Sequence, residues 1–474
     1  MRYFGQDVMP EYVNLVFLKN RCLTNIASSY SRHTRTIVGA APQLISFLSA
    51  PNPALQEQAL WALGNIAGDS DDLRRMLRAN GALLPMFRLL QNPPLIEIAR
   101  TAAWAISNLV RGDETPGEPF VQAAPTFVAS LRGGVHFSAA AAAAAASGAG
   151  TGAGAPPFMP LRDEALRVEA AWILAFLTAK EEETVTEMVR VGMVPALVEA
   201  LVDSGGQDPL CTPALRSLGN MVSGKEEWAD AVMLHKEFLP CLDAVLKSQD
   251  RSRRVLVKEA AWVASNVAAG RQEHREALVA QGSPAALTLL LLSDQLDLQQ
   301  EAAHGIWNIV AHDSELLLQA ARDDRVMGAY VALVRAQSPP VVRCALSFLR
   351  LVCQNVPGGP RMVESAGGLE AIDDVHYSGQ ADPELQEAAG AIVDRFFGED
   401  GYESSDEGGD EETDTETVVG GGDGFGFNFG GSGDTSQFNA RGPPGQQQQQ
   451  QQPLAPLGRG AHLTRPSWMN QNPS

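Results

Sequence analysis

The sequence predicts an all-α solenoid of stacked helical repeats followed by a polar tail. The first observation behind this is repetition. LQEQALWALGNIAGD (residues 55–69) returns in altered form as ARTAAWAISNLVRG (99–112), RVEAAWILAFLTA (167–179), PALRSLGNMVSG (213–224), KEAAWVASNVAAG (258–270) and QEAAHGIWNIVAHD (300–313). The second is spacing: the aligned positions Asn25, Asn65, Asn108, Phe176, Asn220, Asn266 and Asn308 are 40, 43, 68, 44, 46 and 42 residues apart. A period in the low forties carried by apolar helical segments is that of an armadillo or HEAT solenoid. The third is negative, since no period-two run is long enough to suggest a sheet.

Taken in order, the repeats begin incomplete. VNLVFLKNRCLTNIASS (13–29) supplies a third helix without convincing first and second ones. Each later repeat places a Gly where a short first helix ends and a Pro in the first turn of the second, as Gly81 with Pro85, Gly192 with Pro195 and Gly282 with Pro284. Gly permits the left-handed turn there, and Pro suits a helix start. In the third helix of 55–69, Ala59, Leu63 and Ile66 form the buried stripe. Trp61 and Asn65, four apart, share another face, with Gln58 one turn before. The pair returns at Trp104/Asn108 and Trp262/Asn266, giving a ladder. A Trp face can hold the stem and head of a Lys or Arg, and an Asn amide can read an extended peptide backbone. The structural alternative is that Trp and Asn close helix–helix contacts. Their joint recurrence favours binding.

Residues 133–160 interrupt the rhythm with eight alanines (139–146) followed by SGAGTGAGAPP, which reads as a disordered low-complexity loop. The repeat at 340–353 and the cap at 384–397 carry no Trp–Asn pair. After them comes an acidic run, then GFGFNFGG and a Gln tract, a tail (398–474) that cannot bury a core and is expected to be disordered. The expected organisation is therefore repeats over 1–397, with the first incomplete, and a tail.

Composition narrows the function. The formal net charge of -20 argues against nucleic acid and for cationic ligands. The 5 Cys are scattered without a CxxC, as in a reduced compartment, and the start lacks a secretory signal. The most apolar short run (285–292) is too short to span a bilayer. The 8 His fall in no zinc spacing, and no nucleophile elbow or phosphate loop is present, so neither enzyme activity nor a cofactor is expected.

The ladder, EQALWALGNIAGD followed by TAAWAISNL, resembles importin α, the armadillo adaptor that binds nuclear localisation signals, over about residues 14–397. The order of irregular repeats matches as well: Trp172 with Phe176, then Arg216 with Asn220, then Trp262 with Asn266. The ending AAGAIVDRFFGED is nearest the family's divergent plant branch. The resemblance implies a right-handed armadillo superhelix, in cytoplasm and nucleus, with two subsites for Lys/Arg-rich peptides. It puts the major one at Asn25, Thr34, Gln58, Trp61, Asn65, Asp69, Trp104 and Asn108, where Asp69 would pair with a key lysine. The minor one would use Glu169, Trp172, Arg216, Asn220, Glu226, Glu259, Trp262, Ser265, Asn266, Glu301 and Asn308. Glu169, Glu259 and Glu301 each stand three residues before a ladder position, hence on its face.

Departures are Arg21 and His304 in Trp slots, where a fixed or protonated cation would repel a basic guest; Trp307 either substitutes or is core. The resemblance also implies basic cargo as partner, with an export receptor at the last repeats. Family members carry a basic segment, before the first repeat, that recruits importin β and occupies the groove. The first 20 residues contain only Arg2 and Lys19 as basic groups. If Met1 is the start, an uninhibited groove and no recruitment of importin β by that route are expected. A start upstream of Met1 is the competing explanation. The rival functional reading is an armadillo scaffold or regulatory subunit.

Overall fold

The computed structural model describes residues 21–27, 31–111, 118–136, 158–160, 163–179, 182–207, 209–379 and 382–398. The expected basic-poor start, the Ala run and the acidic tail lie outside them. The chain divides between Met221 and Val222 into two compact units.

In the first unit the repeat grammar becomes three helices. Asp71–Ala79 is followed by Leu83–Gln91 and then by Ile96–Val110, which carries Trp104. Gly81 makes the first turn at φ 77°, and Pro85 lies in the first turn of the next helix. The same left-handed glycine recurs at Gly192 (φ 87°). Asn52 caps the helix Pro53–Asp69, its side chain accepting from the backbone N–H of Ala54 at 2.9 Å, and Asp163 caps Glu164–Leu177 through Leu166 N at 2.8 Å. Ala59, Leu63 and Ile66 are fully buried, as the stripe predicts. The third helices pack in succession, Pro53–Asp69 on Ile96–Val110 and that on Glu164–Leu177.

Arginines finish these helices. The last carbonyls of a helix have no partner within it. Arg74 donates to Ala67 O at 2.8 Å, and Arg111 donates to Gly68 O at 2.9 Å. Burial and the neighbouring Arg74 push the Arg111 guanidinium down to about 10. Arg275 repeats the device in the second unit, reaching Ala268 O at 3.0 Å and Gly270 O at 2.9 Å.

The insertion corrects one expectation. Its two ends are not loop: Gly134–His136 pairs antiparallel with Phe158–Pro160, Val135 opposite Met159. The backbone ladder satisfies the groups of the departing and returning chain, and it leaves Glu118–Leu131 packed on Glu164–Leu177. Three-residue strands do not alter the all-α class.

The second unit continues with Glu226–Met233, Phe238–Leu246 and Arg254–Ala269, which carries Trp262 and packs on Leu296–Val310. Gly282 turns at φ 88° before Ser283–Leu291. Tyr330 is fully buried, donates to Ala303 O at 2.8 Å and stacks on Phe348. Pro339–Asn355 and Pro383–Phe396 close the array. Among the described residues no helix is long and apolar enough to cross a membrane, and no cluster of His, Cys, Asp and Glu could hold a metal. The cysteines are free; burial raises the Cys353 thiol to about 12 and the Cys344 thiol further.

Candidate functional site

One joint recurs along the ladder. Asn108 Nδ2 donates to Gly64 O at 3.2 Å, and Asn220 Nδ2 donates to Ala175 O at 3.2 Å and to Thr178 Oγ1 at 3.1 Å. In the second unit Asn308 Nδ2 donates to Ser265 O at 3.0 Å. Gly64, Ala175 and Ser265 each immediately precede the ladder position of the preceding repeat. Each of these three Asn is therefore aimed by the backbone of its neighbour. An amide has two donors and an acceptor, so Asn108, half-exposed, retains capacity for a ligand. Asn65 and Asn308 are only 7% exposed, whereas Asn25 is exposed and Asn266 half-exposed.

The tryptophans lie half-exposed beside this joint at Trp61, Trp104, Trp172 and Trp262. Trp61 donates its indole N–H to Thr101 Oγ1 at 3.2 Å, and Thr101 donates to Glu97 O at 2.9 Å. The Trp104 ring lies against Gly64, where any side chain would overlap it. Trp172 stacks on Phe176 with centroids 5.8 Å apart. Arg216 is half-exposed on Cys211–Val222, and Glu226 is exposed at the start of the next helix. Trp and Asn thus close helix–helix contacts, as the structural alternative has it, while the Trp rings and Asn108 also keep part of their surface exposed.

Around Asp69 the expected set is rearranged. Asp69 ends its helix half-exposed, and its Oδ2 accepts from Ser31 Oγ at 2.9 Å. Thr34 is 1% exposed and spends its hydroxyl on Ala27 O at 3.2 Å, so it braces the wall rather than facing a ligand. Ser31, one helical turn earlier, is the hydroxyl that meets Asp69. Gln58 accepts at its backbone carbonyl from Thr24 Oγ1, 3.2 Å away. The sequence reading also passed over Glu57, one turn before Trp61. Burial and then the charge of Glu97 raise its carboxyl above the usual range.

The acidic residues three before the ladder need correction. Glu169 is 8% exposed and Glu259 4%, and only Glu301 is half-exposed. Gln58 with Thr24, Thr101 with Trp61 and Glu169 with Ser107 show what this offset does: it faces the preceding third helix. Glu169 Oε2 lies 2.9 Å from Ser107 Oγ, and burial pushes its carboxyl up to about 7 against the weaker lowering by Ser107. His304 also departs from expectation. Burial lowers its imidazole, and Nδ1 donates to Gln300 O at 2.7 Å, so at neutral pH the Trp slot it fills holds no cation. Trp307 is half-exposed.

Comparison with known proteins agrees with this architecture. An armadillo/beta-catenin-like repeat matches residues 31–68, and a HEAT-like repeat matches 53–109. Among solved structures, an engineered protein aligns with TM-score 0.55 over 81% of this chain and 95% of its own; at 23% identity this speaks to fold alone. Importin subunit alpha-9 of Arabidopsis thaliana is 30% identical over 397 residues, 80% of this chain and 70% of that protein. Importin subunit alpha-2 of Oryza sativa subsp. japonica is 32% identical over 398 residues, 80% of this chain and 69% of that protein. Likeness at this level across most of both chains, on an armadillo fold, places the chain in the importin α family.

Proposed function

We propose that the chain is a nuclear import adaptor that binds Lys/Arg-rich localisation signals as extended peptides along the ladder. The observation that carries this is the repeated joint, an Asn amide aimed by the preceding repeat beside a half-exposed Trp. Basic side chains would lie on Trp61 and Trp104 with Asn65 and Asn108 on the peptide backbone, and Asp69 with Ser31 would receive a lysine. Glu57 and Glu97 add negative potential next to Trp61. A second stretch would be read by Trp262, Asn266 and Asn308 in the C-terminal unit, with Glu301 beside them. Such an adaptor moves between cytoplasm and nucleus and takes basic cargo and, at Pro339–Asn355 and Pro383–Phe396, an export receptor; importin β would be recruited only through a basic segment upstream of Met1.

The test is a fluorescence-anisotropy titration with a labelled basic peptide. Tight binding is expected, weakening on the Trp61→Ala/Trp104→Ala double substitution. Asp69→Lys, which turns a like charge on the lysine, should cost about 2 kcal/mol, the scale of a hot-spot truncation. Unchanged binding by the double variant would make the ladder purely structural and end this reading.

A further inference from the structure

The contact between Ser107 and Glu169 holds more than a packing role. Ser107 Oγ lies 2.9 Å from Trp104 O and 2.9 Å from Glu169 Oε2. A hydroxyl has one proton to give. With that proton on the Trp104 carbonyl, Glu169 must supply the proton of the second bond, so the geometry fits a neutral carboxylic acid. Its burial, between the helices that carry Trp104 and Trp172, acts in the same direction.

The arginines of these two helices and Arg111 have partners of their own. On its own helix Arg167 reaches Leu131 O and Asp203, and Glu164 lies 3.5 Å from Arg167. On the Trp104 helix Arg100 pairs with Asp163, and Glu97 is exposed near Glu57. Arg111, just beyond that helix, donates to Gly68 O. Helix Glu118–Leu131 contributes only Glu118, at its start; Arg216 stands on the next ladder helix.

We propose that Glu169 rests as the neutral acid through its burial, that Ser107 is a positioning residue that keeps its carboxyl in place in either protonation state, and that a Lys or Arg side chain seated on Trp104 and Trp172 expels one proton from it. The inference rests on the peptide-binding reading. The Glu169 O–H bond breaks and its proton passes to solvent buffer. The Ser107 hydroxyl turns from Trp104 O to the new carboxylate, which pairs with the guest cation. Peptide affinity then falls as pH falls, because the proton competes with the guest.

The experiment is calorimetry of the full chain with an end-capped peptide of Arg and Ala, at pH 6.5, in two buffers of different ionisation enthalpy. The parent should release about one proton per peptide and lose about tenfold in affinity for each unit its Glu169 is shifted by the guest. Glu169→Gln should bind without that release, with a flatter pH profile. Ser107→Ala should move the midpoint upward, since the serine favours the ionised form. Peptide binding by the parent without proton release, or release undiminished in Glu169→Gln, would overturn the proposal. A peptide that does not bind at all would instead remove the reading on which it rests.

Discussion

A methyl group at Gly64 would occupy space held by the Trp104 ring. The backbone there is helical and tolerates any residue, so the requirement for glycine comes from the neighbouring repeat alone. Gly64→Ala should therefore cost about 1–3 kcal/mol through overpacking and weaken a basic peptide by moving Trp104, read by urea unfolding and by the anisotropy titration. A stable variant with parental affinity would show that Trp104 can step aside. Asn108→Ala removes the donor to Gly64 O and should lower stability by about 1–2 kcal/mol, since a partly buried carbonyl loses its partner. The residues most exposed to misreading were those whose role depends on a neighbour. Thr34 has the composition of a ligand contact and the burial of a brace, while Ser31 does the reverse. Spacing within one helix does not reveal which repeat lies against it.

Third helices, turn glycines and helix-starting prolines were legible because each is a local property with its own period. The offset of three residues before the ladder was legible as a pattern but not in its direction. A helical face is known relative to its own axis, and only packing showed that this one meets the preceding third helix. The pairing of Gly134–His136 with Phe158–Pro160 had no sequence signal, since three residues carry no alternation. The joint at Glu169 has a consequence for stability. Its carboxyl is raised in the folded chain, to about 7 from an ordinary 4.5. Its contribution is thus complete below the unfolded value and lost as pH rises through about 7. Glu169→Gln, neutral throughout, should match the parent near pH 4.5 and exceed it at pH 8, by at most on the order of 2–3 kcal/mol. Thermal melts at the two pH values check this; a variant less stable at pH 8 would contradict it.

Stacked repeats couple mainly to their neighbours, so damage should spread locally. Leu63 is fully buried, and Leu63→Ala should cost about 2–5 kcal/mol. Hydrogen exchange should rise across residues 31–110 while 296–355 keep their protection; uniform acceleration would indicate a single cooperative unit. Charge is distributed as unevenly as stability. The whole chain carries -20, yet residues 31–111 hold eight Arg against five Asp and Glu. On the proposed function, attraction for a basic peptide there would come from placed carboxylates such as Asp69 and Glu57 rather than from net charge, and added salt should weaken it without abolishing it. The Asn-to-carbonyl bond also sets how such a protein can be recombined. A repeat cut at its turns leaves with its amide but without the backbone that aims it, so on the proposed function a transplanted specificity would travel intact only as two consecutive repeats. A library that shuffles pairs should keep peptide recognition, whereas one that shuffles single repeats should yield folded arrays with misdirected amides.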